Sequence, residues 1–187
     1  MSAPAEGDGS RQVVPWELLS ERPRTDGWLP ITTRTYRMPD GSVSDWDIHQ
    51  GLRTVAVLAL TEDGDVVLAR QFRPGPSAVV LDLPGGIVDP GEEVLAAAAR
   101  ELLEETGYAA DSVELAGWTW AFGASTWRRE VAIARDVRRV AEVASWGGDE
   151  YCEPVVVTVA QLRDVVRRGE TTDADLVYLA LDSAGLL

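Results

Sequence analysis

Glu101, Glu104 and Glu105 stand at i, i+3 and i+4, the spacing that brings side chains onto one side of an α-helix. Carboxylates so placed repel one another by about 0.2–0.5 kcal/mol per pair, and near a helix C-terminus the macrodipole adds to the cost. A solvated acidic face is the plain explanation. The chemical one is a bound divalent cation, because hard Mg²⁺ or Mn²⁺ takes clustered carboxylate oxygens.

The flanking residues sharpen the choice. Leu95, Ala99 and Leu102 are expected to give the same helix an apolar stripe on its far side, and Gly107 to end it as a C′ residue. Gly86, five residues, Glu92, seven residues, Arg100-Glu101-Leu102, one residue, Glu104-Glu105, one residue, then Gly107-Tyr108 resembles the Nudix box. Every polar and glycine position of that box is matched; Tyr108 stands where the family carries an aliphatic residue. The resemblance extends over about residues 31–181 and is nearest to ADP-ribose pyrophosphatases and related sugar-nucleotide hydrolases. It rests there on Gln71-Phe72-Arg73, Leu81-Asp82-Leu83-Pro84-Gly85-Gly86, Glu150, and Gly169-Glu170-Thr171-Thr172-Asp173-Ala174.

That resemblance implies a Nudix-type α/β/α sandwich with a mixed sheet and an N-terminal antiparallel β-hairpin extension. It implies hydrolysis of the pyrophosphate of a nucleoside diphosphate linked to another moiety, with ADP-ribose as first substrate. Another sugar-nucleotide or dinucleotide pyrophosphatase, or a non-catalytic nucleotide-sugar-binding regulator on the same scaffold, are the alternatives. By similarity Glu101 and Glu105 are the central ligands of Mg²⁺ (Mn²⁺ as alternative), joined by Glu104 and the Gly85 carbonyl. Glu104 is also a catalytic candidate, as holder of a water. Gly86, Glu92, Arg100 and Gly107 are the structural part of the box, with Glu92 and Arg100 pairing. The general base comes from a mobile acidic loop in this group, which points to Glu150, with Glu153 and Asp149 as competitors. Arg73 is the candidate phosphate ligand and Asp82 a candidate acceptor from the base. Trp120, near Trp118 and Trp127, is a candidate stacking residue, against the plainer reading of packing. Trp46 would serve a partner's site if the protein is a homodimer built through the N-terminal hairpin. One departure bears on substrate choice. Ala121-Phe122-Gly123-Ala124-Ser125 stands where ADP-ribose pyrophosphatases carry a proline-containing Ser-Pro-Gly segment.

Composition limits the other possibilities. A net charge of −14 argues against nucleic acid as a partner, since phosphate backbones require a basic footprint. All 17 basic residues are arginine, so lysine nucleophiles and Schiff bases are excluded, and arginine is the only cationic side chain for binding phosphates apart from His49 if protonated. One cysteine, Cys152, rules out an internal disulfide. No apolar run approaches the roughly 18 residues of a membrane span, and MSAPAEGDGS lacks the features of a signal peptide. A cytoplasmic protein is the expectation.

These residues need a scaffold. Residues 1–12 read as a disordered tail, 13–50 as an N-terminal β extension used for dimerisation, and 51–187 as the Nudix hydrolase domain. Strands are predicted at 31–38 and 42–49 around the turn Pro39-Asp40-Gly41, with an irregular stretch before them over 16–30. Further strands are predicted at 54–60, 66–72, 79–83, 113–121, 129–134 and 153–159, with 137–145 ambiguous. Helices close the chain at 160–168 and 174–181. Hairpin-linked strands with interleaved helices predict a mixed sheet covered by helices.

Overall fold

The computed structural model describes residues 17–24, 30–143, 146–147 and 150–187, and for residues 18, 24, 146, 147 and 150 the backbone alone. The expected tail at 1–12 lies outside the described residues. The chain divides into two compact units, Met1–Gln50 and Gly51–Leu187.

The first unit is a three-stranded antiparallel sheet, β1 (Glu17–Arg24), β2 (Ile31–Arg37) and β3 (Val43–His49), in that order. Asp40 caps the β2–β3 turn, its Oδ1 accepting from Ser42 N at 2.9 Å, and Gly41 takes the positive φ of 85°. The irregular reading of 16–30 is corrected, since β1 pairs with β2 from Glu17↔Arg37 to Arg24↔Ile31. Its pairing is carried by charge rather than by apolar alternation: Arg34 pairs with Glu21, and Arg37 Nε reaches Glu17 at 3.0 Å. An edge strand also tolerates Pro23, whose missing N–H costs nothing on the outer side.

The second unit is an eight-stranded mixed sheet with helices on both faces, an α/β/α sandwich. Its strands are β4 (Arg53–Thr61), β5 (Val66–Arg73), β6 (Ala78–Asp82), β7 (Gly85–Ile87), β8 (Tyr108–Ala109), β9 (Val113–Trp120), β10 (Arg128–Arg139) and β13 (Glu153–Val157). The main path runs β13-β5-β4-β10-β8, with β6 on β5, β7 on β4 and β9 on β10. β4 and β10 pair in parallel and the rest antiparallel. A separate pair, β11 (Trp146–Gly147) and β12 (Glu150–Tyr151), lies just before β13.

β4 is apolar from Val55 to Leu60 because both its faces are covered. Leu58, Leu68 and Ile133 lie against helices α2 (Val159–Arg168) and α3 (Ala174–Ser183). Val57, Val67 and Ala132 lie against helix α1 (Val94–Thr106). α2 opens with a capping box, Thr158 Oγ1 accepting from Gln161 N and Gln161 Oε1 from Thr158 N. β10 is much longer than the predicted 129–134. A register shift between Ala134 and Val137, with Asp136 at φ 54°, bends the strand so that its end pairs with β8.

The predicted stripe of α1 is also corrected. Leu95 is 40 % exposed and Ala99 is exposed, whereas Val94, Ala97, Ala98, Leu102, Glu105 and Thr106 are buried. The helix packs through its small alanines, which let its axis lie close to the sheet. That rotation carries Glu105 inward with them.

Candidate active site

The site is assembled where β7 leads through a turn into α1. Gly91, at φ 85°, follows Asp89 and Pro90, and Asp89 N donates to Glu92 Oε2 at 3.1 Å. α1 then runs to Gly107, which caps it in the left-handed region at φ 73°. β7 lies close on both sides. A Cβ at Gly85 would stand 2.2 Å from Val55 O, and one at Gly86 would stand 2.4 Å from Glu101 Oε1. Glycine at both positions lets the glutamates reach the strand backbone.

Arg100 organises the acidic cluster. Its Nε and Nη2 donate to the two oxygens of Glu92 at 3.0 Å each, Nη1 donates to Glu101 Oε1 at 2.8 Å and Glu104 Oε2 at 3.2 Å, and Nη2 also reaches Ile87 O at 3.0 Å. The Glu92 hydrogen bonds hold the guanidinium firmly charged, and Arg100 in turn draws the Glu92 carboxyl below its usual range. One arginine thus pairs with Glu92, Glu101 and Glu104, and these four groups keep an excess of negative charge.

Glu105 is held differently. It is 4 % exposed, its Oε2 accepts from Gly85 N at 2.8 Å, and its Oε1 accepts from Cys152 Sγ at 3.5 Å. Burial pushes its carboxyl up to about 7, with the charge of Glu101 adding to the rise and the Gly85 N–H, Cys152 and Arg73 opposing it. A desolvated carboxylate beside another carboxylate is the environment that a divalent cation would relieve, so the donor set fits a metal. Among the described residues, no three acidic, histidine or cysteine groups already converge at coordination distance. Arg100 draws Glu101 and Glu104 toward itself while Gly85 holds Glu105.

The family model for the NUDIX domain matches residues 52–177, which is the whole sheet, α1 and most of the helical cover. The chain belongs to the Nudix family. Among curated relatives it is similar to an ADP-ribose pyrophosphatase of Bacillus subtilis (strain 168), 30 % identical over 80 % of this chain and 82 % of that protein. It is also similar to a methanol dehydrogenase activator of Bacillus methanolicus, 26 % identical over 79 % of this chain and 82 % of that one. A solved structure described as an ADP compounds hydrolase superposes with a TM-score of 0.76, covering 95 % of this chain and all of that one at 18 % identity. That likeness supports the Nudix fold.

The other expected residues have partners outside the acidic cluster. Glu153 pairs with Arg70 Nη1 at 3.4 Å and its side chain is 59 % exposed. Adjacent residues of an extended chain point to opposite faces, so Glu153 faces away from α1 while Cys152 faces it. The side chain of Glu150 and the whole of Asp149 lie outside the described residues; the Glu150 backbone pairs with Gly147. Arg73 donates through Nε to Asp82 Oδ2 at 2.9 Å. Asp82 is fully buried and also accepts from Thr171 Oγ1, Thr172 N and Thr172 Oγ1 at 3.0, 2.7 and 2.9 Å. Its oxygens thus face the α2–α3 connection.

Trp118 and Trp120 form an exposed T-shaped pair, centroids 5.2 Å apart, with the Arg128 guanidinium 4.6 Å above Trp118. Trp127 instead donates Nε1–H to Thr54 Oγ1 at 2.9 Å and braces β4. Trp46 belongs to the N-terminal unit, exposed and opposite Arg34. Sequence reasoning placed Gln71 on the strand before the box but missed its contact with Cys152, missed Cys152 as a neighbour of the box, and missed buried Glu130, which Arg53 and Arg128 flank at 2.6 and 2.9 Å. Cys152, lying between two candidate bases in the chain, was the one available signal.

Proposed function

We propose that this Nudix pyrophosphohydrolase cleaves nucleoside diphosphate sugars, ADP-ribose first, with Mg²⁺ or Mn²⁺ as cofactor. The buried Glu105 within an acidic cluster is the observation that carries the reading. It is supported by similarity to the ADP-ribose pyrophosphatase of Bacillus subtilis and to an ADP-sugar pyrophosphatase of Mus musculus, 32 % identical over 57 % of this chain. Glu101, Glu104, Glu105 and the Gly85 carbonyl would hold the metal. Bound there, it would neutralise the pyrophosphate and polarise its phosphoryl oxygens. Arg100 fixes the orientation of Glu101 and Glu104 through its ion pairs. Arg73, anchored through Nε by Asp82, has no other side-chain hydrogen bond among the described residues and would turn the rest of its guanidinium to a phosphate oxygen. Glu150 takes the proton of the attacking water, because Glu153 is turned toward Arg70.

A metal-dependent screen across nucleoside diphosphate sugars tests this directly. ADP-ribose plus Mg²⁺ is expected to yield AMP and ribose 5-phosphate. Metal-dependent cleavage of none of the compounds would overturn the reading. Preference for another sugar nucleotide or a dinucleotide is the second reading, favoured by the proline-free segment Ala121–Ser125.

The choice of base has its own test. Glu150→Gln is expected to lower kcat about 10²-fold or more with little change in Mn²⁺ affinity, in line with loss of a general base. Glu153→Gln should lose nothing comparable. The reverse result would move the base to Glu153.

The N-terminal unit, with Trp46 exposed on its sheet, is assigned the role of joining two copies about a twofold axis and adding Trp46 to the partner's substrate pocket. Light scattering at micromolar concentration is expected to give twice the chain mass of 20.3 kDa. A monomer mass would remove the dimer and the shared pocket together.

A further inference from the structure

We propose that Cys152 is a positioning residue for Glu105, its thiol latching the segment that carries Glu150 to the helix that carries the metal ligands. The inference rests on the metal role assigned to Glu105 above.

Glu105 is gripped at both oxygens, by Gly85 N on Oε2 at 2.8 Å and by Cys152 Sγ on Oε1 at 3.5 Å. A carboxylate held at one oxygen still turns about its last side-chain bond, a broad torsion; a donor on each oxygen fixes the plane. Each oxygen keeps a further lone pair for a cation, so the grip orients the group without consuming it. Outer contacts of this kind orient metal ligands generally.

The position of Cys152 in the chain gives the contact a second consequence. It follows β12, which contains Glu150, and precedes β13, which is hydrogen-bonded to β5. One buried side chain therefore joins the base-bearing segment to α1, 47 residues away.

A third group completes the pocket. Gln71 on β5 is 8 % exposed, and its Oε1, 3.8 Å from Cys152 Sγ, is the more distant of two acceptors for the single thiol proton, the Glu105 oxygen at 3.5 Å being the nearer. The Nε2 of the same amide is buried with no hydrogen-bond partner among the described residues. A buried N–H of that kind needs an oxygen, and its amide borders the thiol that contacts Glu105.

Isothermal titration of full-length protein with Mn²⁺, without substrate, tests the latch. Cys152→Val keeps the bulk and removes the donor; Cys152→Ser restores a donor. C152V is expected to bind Mn²⁺ about tenfold more weakly and to lose kcat with KM unchanged, while C152S stays near wild type. Thermal unfolding shows whether each variant is folded, and Cys152→Ala replaces the valine variant if that one is not. Wild-type Mn²⁺ affinity and kcat in the donor-free variant overturn the proposal. Equal losses in C152S and C152V overturn it too, because packing rather than the hydrogen bond would then be the cause. Glu105→Gln in the same titration separates the two levels. Unchanged Mn²⁺ binding there refutes the metal role of Glu105, whereas loss in E105Q with none in C152V refutes the latch alone.

Discussion

Glu105→Gln is expected to lower kcat about 10³-fold while making the metal-free protein more stable above neutral pH. The amide is the same size and its single oxygen can still accept from Gly85 N, with its NH2 turned toward Cys152 Sγ, so the fold should survive. It cannot supply a charged oxygen to a cation. Loss of that charge stabilisation, about 4 kcal/mol, corresponds to about 10³-fold in kcat.

The stability change follows from burial. The Glu105 carboxyl sits at about 7 in the folded protein, above its ordinary 4.5, chiefly because burial disfavours the charged form. The folded state therefore holds this proton more tightly than the unfolded state. Its contribution to stability is fully present below the unfolded pKa and is lost as pH rises through about 7. Glutamine never ionises, so thermal unfolding in chelator at pH 8 should place E105Q above wild type, with the gap closing near pH 5. Added Mg²⁺ should stabilise wild type and leave E105Q unchanged. Near-wild-type turnover of E105Q would remove Glu105 from the metal site. A site that is destabilised until its ligand arrives is a common exchange of stability for activity.

Asp82→Ala is expected to cost about 3 kcal/mol of stability, the lower end of what breaking a buried ion pair costs. Asp82 accepts four hydrogen bonds, from Arg73 Nε, Thr171 Oγ1, Thr172 N and Thr172 Oγ1. Alanine strands these donors between the end of β6 and the start of α3. For a chain of this size that is a melting temperature lower by about 6–12 °C. Asp82→Asn keeps an acceptor oxygen and should fall between the two. If instead Asp82 reads the nucleobase, D82N would raise KM with the melting temperature unchanged, and the framework role would be wrong.

The acidic cluster is legible in the sequence because it is local. Glu92, Arg100, Glu101, Glu104 and Glu105 lie within one helix and the turn before it, where spacing alone sets which side chains meet. The pairing of Arg100 with Glu92 and the glycine cap at Gly107 belong to the same class, as do the turn before β3 and the helices α2 and α3.

What spacing could not reveal is how α1 is rotated on the sheet. The apolar side chains of α1 allow more than one stripe, and the large residues Leu95 and Leu102 suggest one through Ala99. The sheet selects Ala97 and Ala98 instead, because small residues permit close approach of helix and strand, and dispersion falls away quickly with distance. That choice turned Glu105 into the interior and left Glu104 at the surface, making two chemically different groups out of neighbouring glutamates. The contacts that then define Glu105 come from Gly85 and Cys152, 20 and 47 residues away. Asp82 meets Thr171 and Thr172 across 89 and 90 residues. Such partners carry no periodic signal, since each is fixed by strand order and register. The sequence by itself determined the spacing of the box carboxylates and the class of fold; the tertiary structure alone decided which carboxylate is desolvated and what holds it, because desolvation is a property of packing.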